Sequence, residues 1–221
     1  MNPWKALALG LAGIAMAATG LAQGVAVAPK VGTTGAGVDV TIGLSPSINL
    51  RLGGQGYTRS ETRRDQEIEY DADLQLLSGQ LLLDLHPGGR GFRLSAGVIL
   101  NANEVTAVST ERTTYTINGT VYPVGLVGRL RGTVETEKIA PYLGIGWGNA
   151  VAPGSPWRLA LDVGAFYQGE PEVSLTAHPI IAIPLPSAFL EDLEAERREI
   201  EEDVSDYTVY PVITLGVSYR F

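Results

Sequence analysis

The chain has 221 residues, 24 acidic against 16 basic side chains, a net charge of −8 and no cysteine. That balance excludes an ordinary nucleic-acid binder, and the missing thiols exclude cysteine nucleophiles, disulfides and cysteine-based metal sites. The length suits one domain behind a leader.

The leader comes first. Met1–Lys5 is a short positive segment, Ala6–Ala18 an apolar one, and Gly20-Leu21-Ala22 a small-x-small cleavage site. Residues 1–22 are read as a secretory signal peptide and 23–221 as the folded domain. A transmembrane helix fits worse. The apolar run is short and glycine-rich, and no later segment holds the ~18 apolar residues a spanning helix needs.

The rest of the chain alternates with a period of two, the mark of strands with one apolar face. Val38, Val40, Ile42 and Leu44 alternate with Asp39, Thr41 and Gly43, and after a Ser45-Pro46-Ser47 turn Ile48, Leu50 and Leu52 alternate with Asn49, Arg51 and Gly53. Tyr70, Ala72, Leu74 and Leu76 alternate with Glu69, Asp71, Asp73 and Gln75; beyond Leu77-Ser78-Gly79 the apolar phase moves to Leu81, Leu83 and Leu85. Such a slip at a glycine predicts a β-bulge. After Pro87–Gly91, Phe92, Leu94, Ala96, Val98 and Leu100 form the next apolar face.

The second half repeats this grammar. Ile139, Pro141, Leu143, Ile145 and Trp147 share a face, and Pro153–Pro156 signals a turn. From Trp157 to Ala177 the apolar residues hold odd positions, with Arg158, Asp162, Gln168, Glu170 and Glu172 opposite. A tilted membrane strand uses about 9–11 residues in lipid, so this one is expected to project beyond the membrane. The last strand sets Tyr207, Val209, Pro211, Ile213, Leu215, Val217, Tyr219 and Phe221 on one face, with aromatic residues at both ends. Three long connections remain: Ser60–Glu67, Val108–Lys138 and Pro179–Asp206. The second holds Asn118-Gly119 between β-formers, a type I′ hairpin signal. The third holds Leu190, Leu193, Arg197, Ile200 and Val204 at helical spacing within an acidic Ser187–Val204. Its acids either solvate a surface helix or make a divalent-cation or protein contact.

Seven strands are legible, and bacterial barrels have even strand numbers. An eighth strand is therefore expected at Gly24–Gly32, with a turn at Thr33–Ala36, unless Val27–Leu44 is a single strand. The expected fold is all-β: an eight-stranded antiparallel transmembrane β-barrel with a short helix in the last extracellular loop.

The ending Tyr210–Phe221 (YPVITLGVSYRF), with Tyr70–Asp73, Leu83–Pro87 and Ala140–Asn149, resembles the small outer-membrane β-barrel proteins of Gram-negative bacteria, of general OmpA/OmpW type. The resemblance spans nearly all of 23–221. It implies an outer-membrane location, contact with outer-membrane lipid and lipopolysaccharide, and recognition by the barrel-assembly machinery through Tyr219 and Phe221. It carries no catalytic motif, cofactor or metal site, and the oligomeric state expected is a monomer.

An eight-stranded barrel has an interior that side chains can fill. The charges expected in the lumen are Arg51, Arg93, Arg158, Arg220 and Asp84 toward the periplasm, with Asp39, Asp162, Glu69, Asp71, Asp73, Glu170 and Glu172 higher. They read either as a salt-bridged plug or as a narrow cation-preferring path for small molecules. Pro29, Pro141, Pro171 and Pro211 lack amide donors and fall in contiguous strands of the expected barrel, which suggests a seam for lateral entry of a hydrophobic molecule. The other reading is that each marks where its strand leaves the membrane. Catalysis is not expected. His178 has Ser174 and Thr176 on its face, His86 lies near Asp84 at the other end, and the two are too far apart to share a metal. The expected role is an integral outer-membrane protein, structural or porin-like.

Overall fold

The computed structural model describes residues 23–65, 68–89, 91–109, 113–179 and 184–221. The expected signal peptide lies outside these residues. In chain order the strands are β1 (Val25–Gly32), β2 (Gly35–Ser45), β3 (Ile48–Asp65), β4 (Ile68–Leu85), β5 (Phe92–Asn101), β6 (Glu104–Ser109) and β7 (Thr114–Ile117). They continue as β8 (Thr120–Pro123), β9 (Arg129–Glu135), β10 (Ile139–Trp147), β11 (Trp157–Tyr167), β12 (Glu172–His178) and β13 (Val209–Arg220). Helix α1 (Ser187–Val204) precedes the last strand.

Eight of these strands close an antiparallel ring in the order β1-β2-β3-β4-β5-β10-β11-β13, with β13 returning to β1. Closure removes free sheet edges, which a backbone in lipid requires. The eighth strand is where the sequence placed it: β1 and β2 are two strands of a hairpin. Among the described residues no helix is long and apolar enough to cross a membrane.

The outward face is the lipid face. Leu83, Leu94, Leu143, Leu159, Leu161, Ile213 and Leu215 are exposed on it. Phe92 meets Trp147, and Trp157 meets Tyr219, in edge-to-face pairs with centroids 5.6 and 4.8 Å apart at the short-turn end. From Val209 to Tyr219 the apolar face of β13 is ten residue steps long; at ~3.3 Å each and a tilt of ~40° it rises about 25 Å, the height of a lipid band.

Five strands continue past this band. β5 and β6 lie on β4 in one register, from Leu85↔Leu94 to Tyr70↔Ser109. β10 and β9 continue each other along β5 and β6, and β12 follows β11 and pairs with β9. The upper half of β3 stays paired to β4 as far as Asp65↔Ile68, so Ser60–Glu67 is mostly a long hairpin, not the open loop expected from its polarity. β13, β1 and β2 stop at the band. The wall is thus tall on one side and low on the other.

The strand faces invert where the wall leaves the lipid. In β4 the register runs straight through Leu77–Gly79, so the expected bulge is absent. The phase change in the sequence instead turns Leu74 and Leu76 inward and exposes Asp71 and Asp73. β11 and β12 do the reverse. The apolar residues keep odd positions, but the backbone bulges at Gln168–Pro171, where Gly169 has φ 72° and the register on the neighbouring strand moves by one. Val173 is buried and Leu175 and Ala177 are half-buried, while Glu172 is exposed. Leu175 and Ala177 pack with Leu130, Phe189 and Leu193 into a core above the barrel. Asn118 and Gly119 take left-handed φ values of 46° and 75° at the tip of the β7–β8 hairpin, as its sequence predicts.

Candidate functional site: the barrel lumen

The inward faces of β1–β5 and β11 gather three cations and three anions. Arg51 is the centre: its guanidinium reaches Asp84 at 2.9 Å, Asp162 at 3.1 Å and Asp39 at 3.6 Å. Arg93 holds Asp162 at 2.7 Å, and Lys30 holds Asp39 at 2.8 Å. All six are buried. Neutral donors complete the set. Ser95 donates to Asp84 at 2.6 Å, Gln80 to Asp39 at 2.9 Å and Thr214 to Asp162 at 3.3 Å. Equal numbers of opposite charges meet the demand that buried ions be matched, with Arg51 Nε left without a hydrogen-bond partner.

Small residues make the room. A Cβ on Gly146 would sit 2.8 Å from Arg93 Nε and 3.0 Å from Asp162 Oδ1; one on Gly164 would sit 2.5 Å from Tyr142 Oη. Beside the ions, Leu82, Ile99, Ala140, Tyr142, Phe166 and Val212 fill the rest of the section, with Phe166 stacked on Tyr210 at 5.0 Å. What remains between Lys30, Arg51 and Asp162 is a cavity of about 20 Å³. That is room for about one water.

The short-turn end is corked as well. The segment between β10 and β11 is not the tight turn its prolines suggest but a longer stretch folded into the mouth, with Asn149, Ala150 and Val151 buried. Asn49 donates to Asn149 at 3.1 Å. Three arginines donate to its carbonyls: Arg93 to Gly148, Arg220 to Val151 at 3.3 Å, and Arg158 to Pro153 at 2.7 Å.

The sequence-derived lumen set therefore divides. Arg51, Arg93, Asp39, Asp84 and Asp162 meet in the network, while Arg158 and Arg220 hold the cork at the mouth. Asp71, Asp73, Glu170 and Glu172 are not in the lumen but exposed beyond the barrel, because the faces invert at the band. The side chain of Glu69 lies outside the described residues. Lys30 escaped sequence reading, although it shares its alternation phase with the inward Ala26 and Ala28. The buried turn carried no sequence signal beyond its length.

The four prolines do not line one seam. Pro29, Pro141 and Pro211 lie in β1, β10 and β13, facing outward, but Pro171 is buried in the bulge between β11 and β12. A bulge is where a missing amide donor is tolerated. The β1–β13 ladder skips Ala28 and Pro29 and resumes at Lys30↔Gly216. His178 is exposed, and the Thr176 hydroxyl on its face donates to Arg131 O at 3.3 Å; His86 is buried at the other end. Among the described residues no group of His, Asp or Glu is arranged to hold a metal.

On the far side of the band α1 packs on β12 and the β7–β8 hairpin. Phe189 and Leu193 are buried, with Phe189 edge-on to Tyr122 at 5.0 Å. Leu190, expected on this face, is exposed. Asp192 accepts from Tyr122 Oη at 2.6 Å and Asn118 Nδ2 at 2.9 Å, and these bonds lower its pKa. Hydrogen bonds from Arg197 and Arg198 lower that of Glu194 to about 2. Arg197 also donates to Val173 O at 3.3 Å, so the helix covers an edge strand's free carbonyl.

No family model matches the chain, and no curated protein matches it. Among solved structures it is similar to CarO2 of Acinetobacter baumannii, with 26% identity, a TM-score of 0.57, and coverage of 90% of this chain and 98% of that one. CarO of the same organism gives 25% identity, a TM-score of 0.56, and the same coverage of each chain. Both are outer-membrane proteins. With its closed ring of eight strands and its apolar outer belt, the chain has the architecture of a small outer-membrane β-barrel protein.

Proposed function

We propose that this protein is a non-conducting barrel of the bacterial outer membrane, a structural anchor that carries a folded β-domain above the outer leaflet. Short turns on such barrels face the periplasm and long connections face outward. The corked mouth is then periplasmic, and β6–β9, β12 and α1 lie outside the cell. The reading rests on the neutral six-charge network, which leaves a cavity of only about 20 Å³ between Lys30, Arg51 and Asp162. A passive path for small molecules needs a continuous wet channel, and matched, hydrogen-bonded ions favour a filled one. No catalytic step is assigned.

Liposome swelling tests it. Vesicles carrying the refolded protein should swell in glycine or arabinose no faster than protein-free vesicles. A double Arg93→Ala, Asp162→Ala variant removes one pair while keeping the remaining charges balanced, and should admit glycine. Rapid swelling with the unaltered protein would overturn the reading.

A further inference from the structure

Above the plug lies a cavity of about 260 Å³, walled by Leu74, Leu76, Val105, Val134, Val204 and Tyr210. Its walls come from the faces of β4, β6 and β9 that turn apolar beyond the band, with Val105 exposed at the rim. The polar groups at its edge are already engaged. Gln168 donates to Tyr207 O at 2.8 Å, Asn103 accepts from the Leu77 amide at 3.0 Å, Thr136 accepts from Asn101 at 2.7 Å, and the Glu104 carboxylate, which also lines the cavity, accepts from Thr106 at 2.8 Å. Water gains little there, and an apolar group displaces it favourably. A second cavity, of about 540 Å³, shares Thr136 and Pro171 with the first. Glu135, Glu137, Glu170, Glu172 and Glu201 line it against the single cation Lys138. The last turn of α1 stands between them, with Val204 on the apolar side and Glu201 and Ser205 on the acidic side.

We propose that the paired cavities bind a small amphipathic cation, an alkylammonium whose aliphatic part enters the apolar cavity while its charge stays at the acidic one. The apolar cavity carries the inference, and the carboxylates set the sign of the ligand. They repel an anionic head and attract a cationic one. The size limits the body, because drug-sized ligands occupy about 300–1,000 Å³ and this cavity is smaller. The plug beneath closes the floor, so the ligand is held rather than passed.

The test uses full-length protein in lipid nanodiscs, methyl-labelled and titrated separately with hexylammonium, hexanol and hexanoate. Hexylammonium should shift the methyls of Leu76, Val105 and Val134 saturably, and hexanoate should bind about tenfold more weakly or worse. Val134→Trp, which fills the cavity, should abolish the saturable shift, with Leu76→Phe as a second filling variant should the first not fold. Glu135→Gln with Glu137→Gln should bring hexylammonium and hexanoate closer together. Equal binding of hexanoate and hexylammonium, an absence of saturation, or shifts that persist in a folded filled variant would overturn the proposal. Conductance does not enter, so this proposal and the closed-barrel reading fail independently.

Discussion

At the residue scale the lumen turns on Arg51, which touches three aspartates at once. Removing one partner of a buried ion set leaves uncompensated charge, at a cost of about 3–5 kcal/mol. Arg51→Met is therefore expected to lower the unfolding midpoint in urea far more than Arg158→Ala. The latter loses hydrogen bonds to turn carbonyls, worth about 1 kcal/mol each. Equal effects would mean that the network is not the keystone. Glycine gives a second test. Gly164→Ala places a methyl against Tyr142 Oη and Leu143 O and should cost about 1–3 kcal/mol through overpacking. Gly125→Ala, with open space around it, should be nearly neutral. Sequence alone showed Arg51, Arg93, Asp39, Asp84 and Asp162 as inward by alternation. It could not show that Lys30 joins them, because a single lysine between two outward residues reads equally well as a rim charge.

At the element scale the governing event is the inversion of faces at the membrane boundary. An apolar phase in the sequence reports the side away from water, and that side is the lipid for the barrel but the interior for the projecting sheet. The slip at Leu77–Gly79 therefore reads as a bulge where the backbone is straight. The unbroken alternation of Trp157–Ala177 hides a real bulge at Gln168–Pro171, flagged only by Gly169 and Pro171. Arginine scanning should expose the inversion. Leu215→Arg at mid-band should cost about 2–4 kcal/mol, whereas Asp73→Arg, outward in β4 but above the lipid, should cost little. Helix docking adds a pH test. Asp192 and Glu194 have depressed pKa values, so their contribution is complete above the ordinary values of 3.8 and 4.5 and fades as pH falls below them, for Glu194 toward about 2. Amide exchange in α1 should therefore accelerate, relative to the barrel strands, as pH falls from 5 to about 2.5, after correction for the intrinsic rate. Unchanged protection would show that Phe189 and Leu193 hold the helix without its acids.

At the scale of the whole molecule, a ring of eight strands and a belt about 25 Å high make a barrel with the dimensions of a membrane span, with a tall sheet on one side. Seven ring strands and the helix at Ser187–Val204 were legible because period-two and helical spacing survive in any solvent, and the eighth followed from the even strand number of such barrels. The identity of the filled lumen was not, since matched charges and a wet path use the same residues and differ only in distance. Single-channel recording of refolded protein in planar bilayers decides whether the lumen is closed. A silent bilayer from protein whose folding is verified by heat-dependent mobility is the predicted result. Discrete, reproducible conductance steps from the unaltered chain would contradict it.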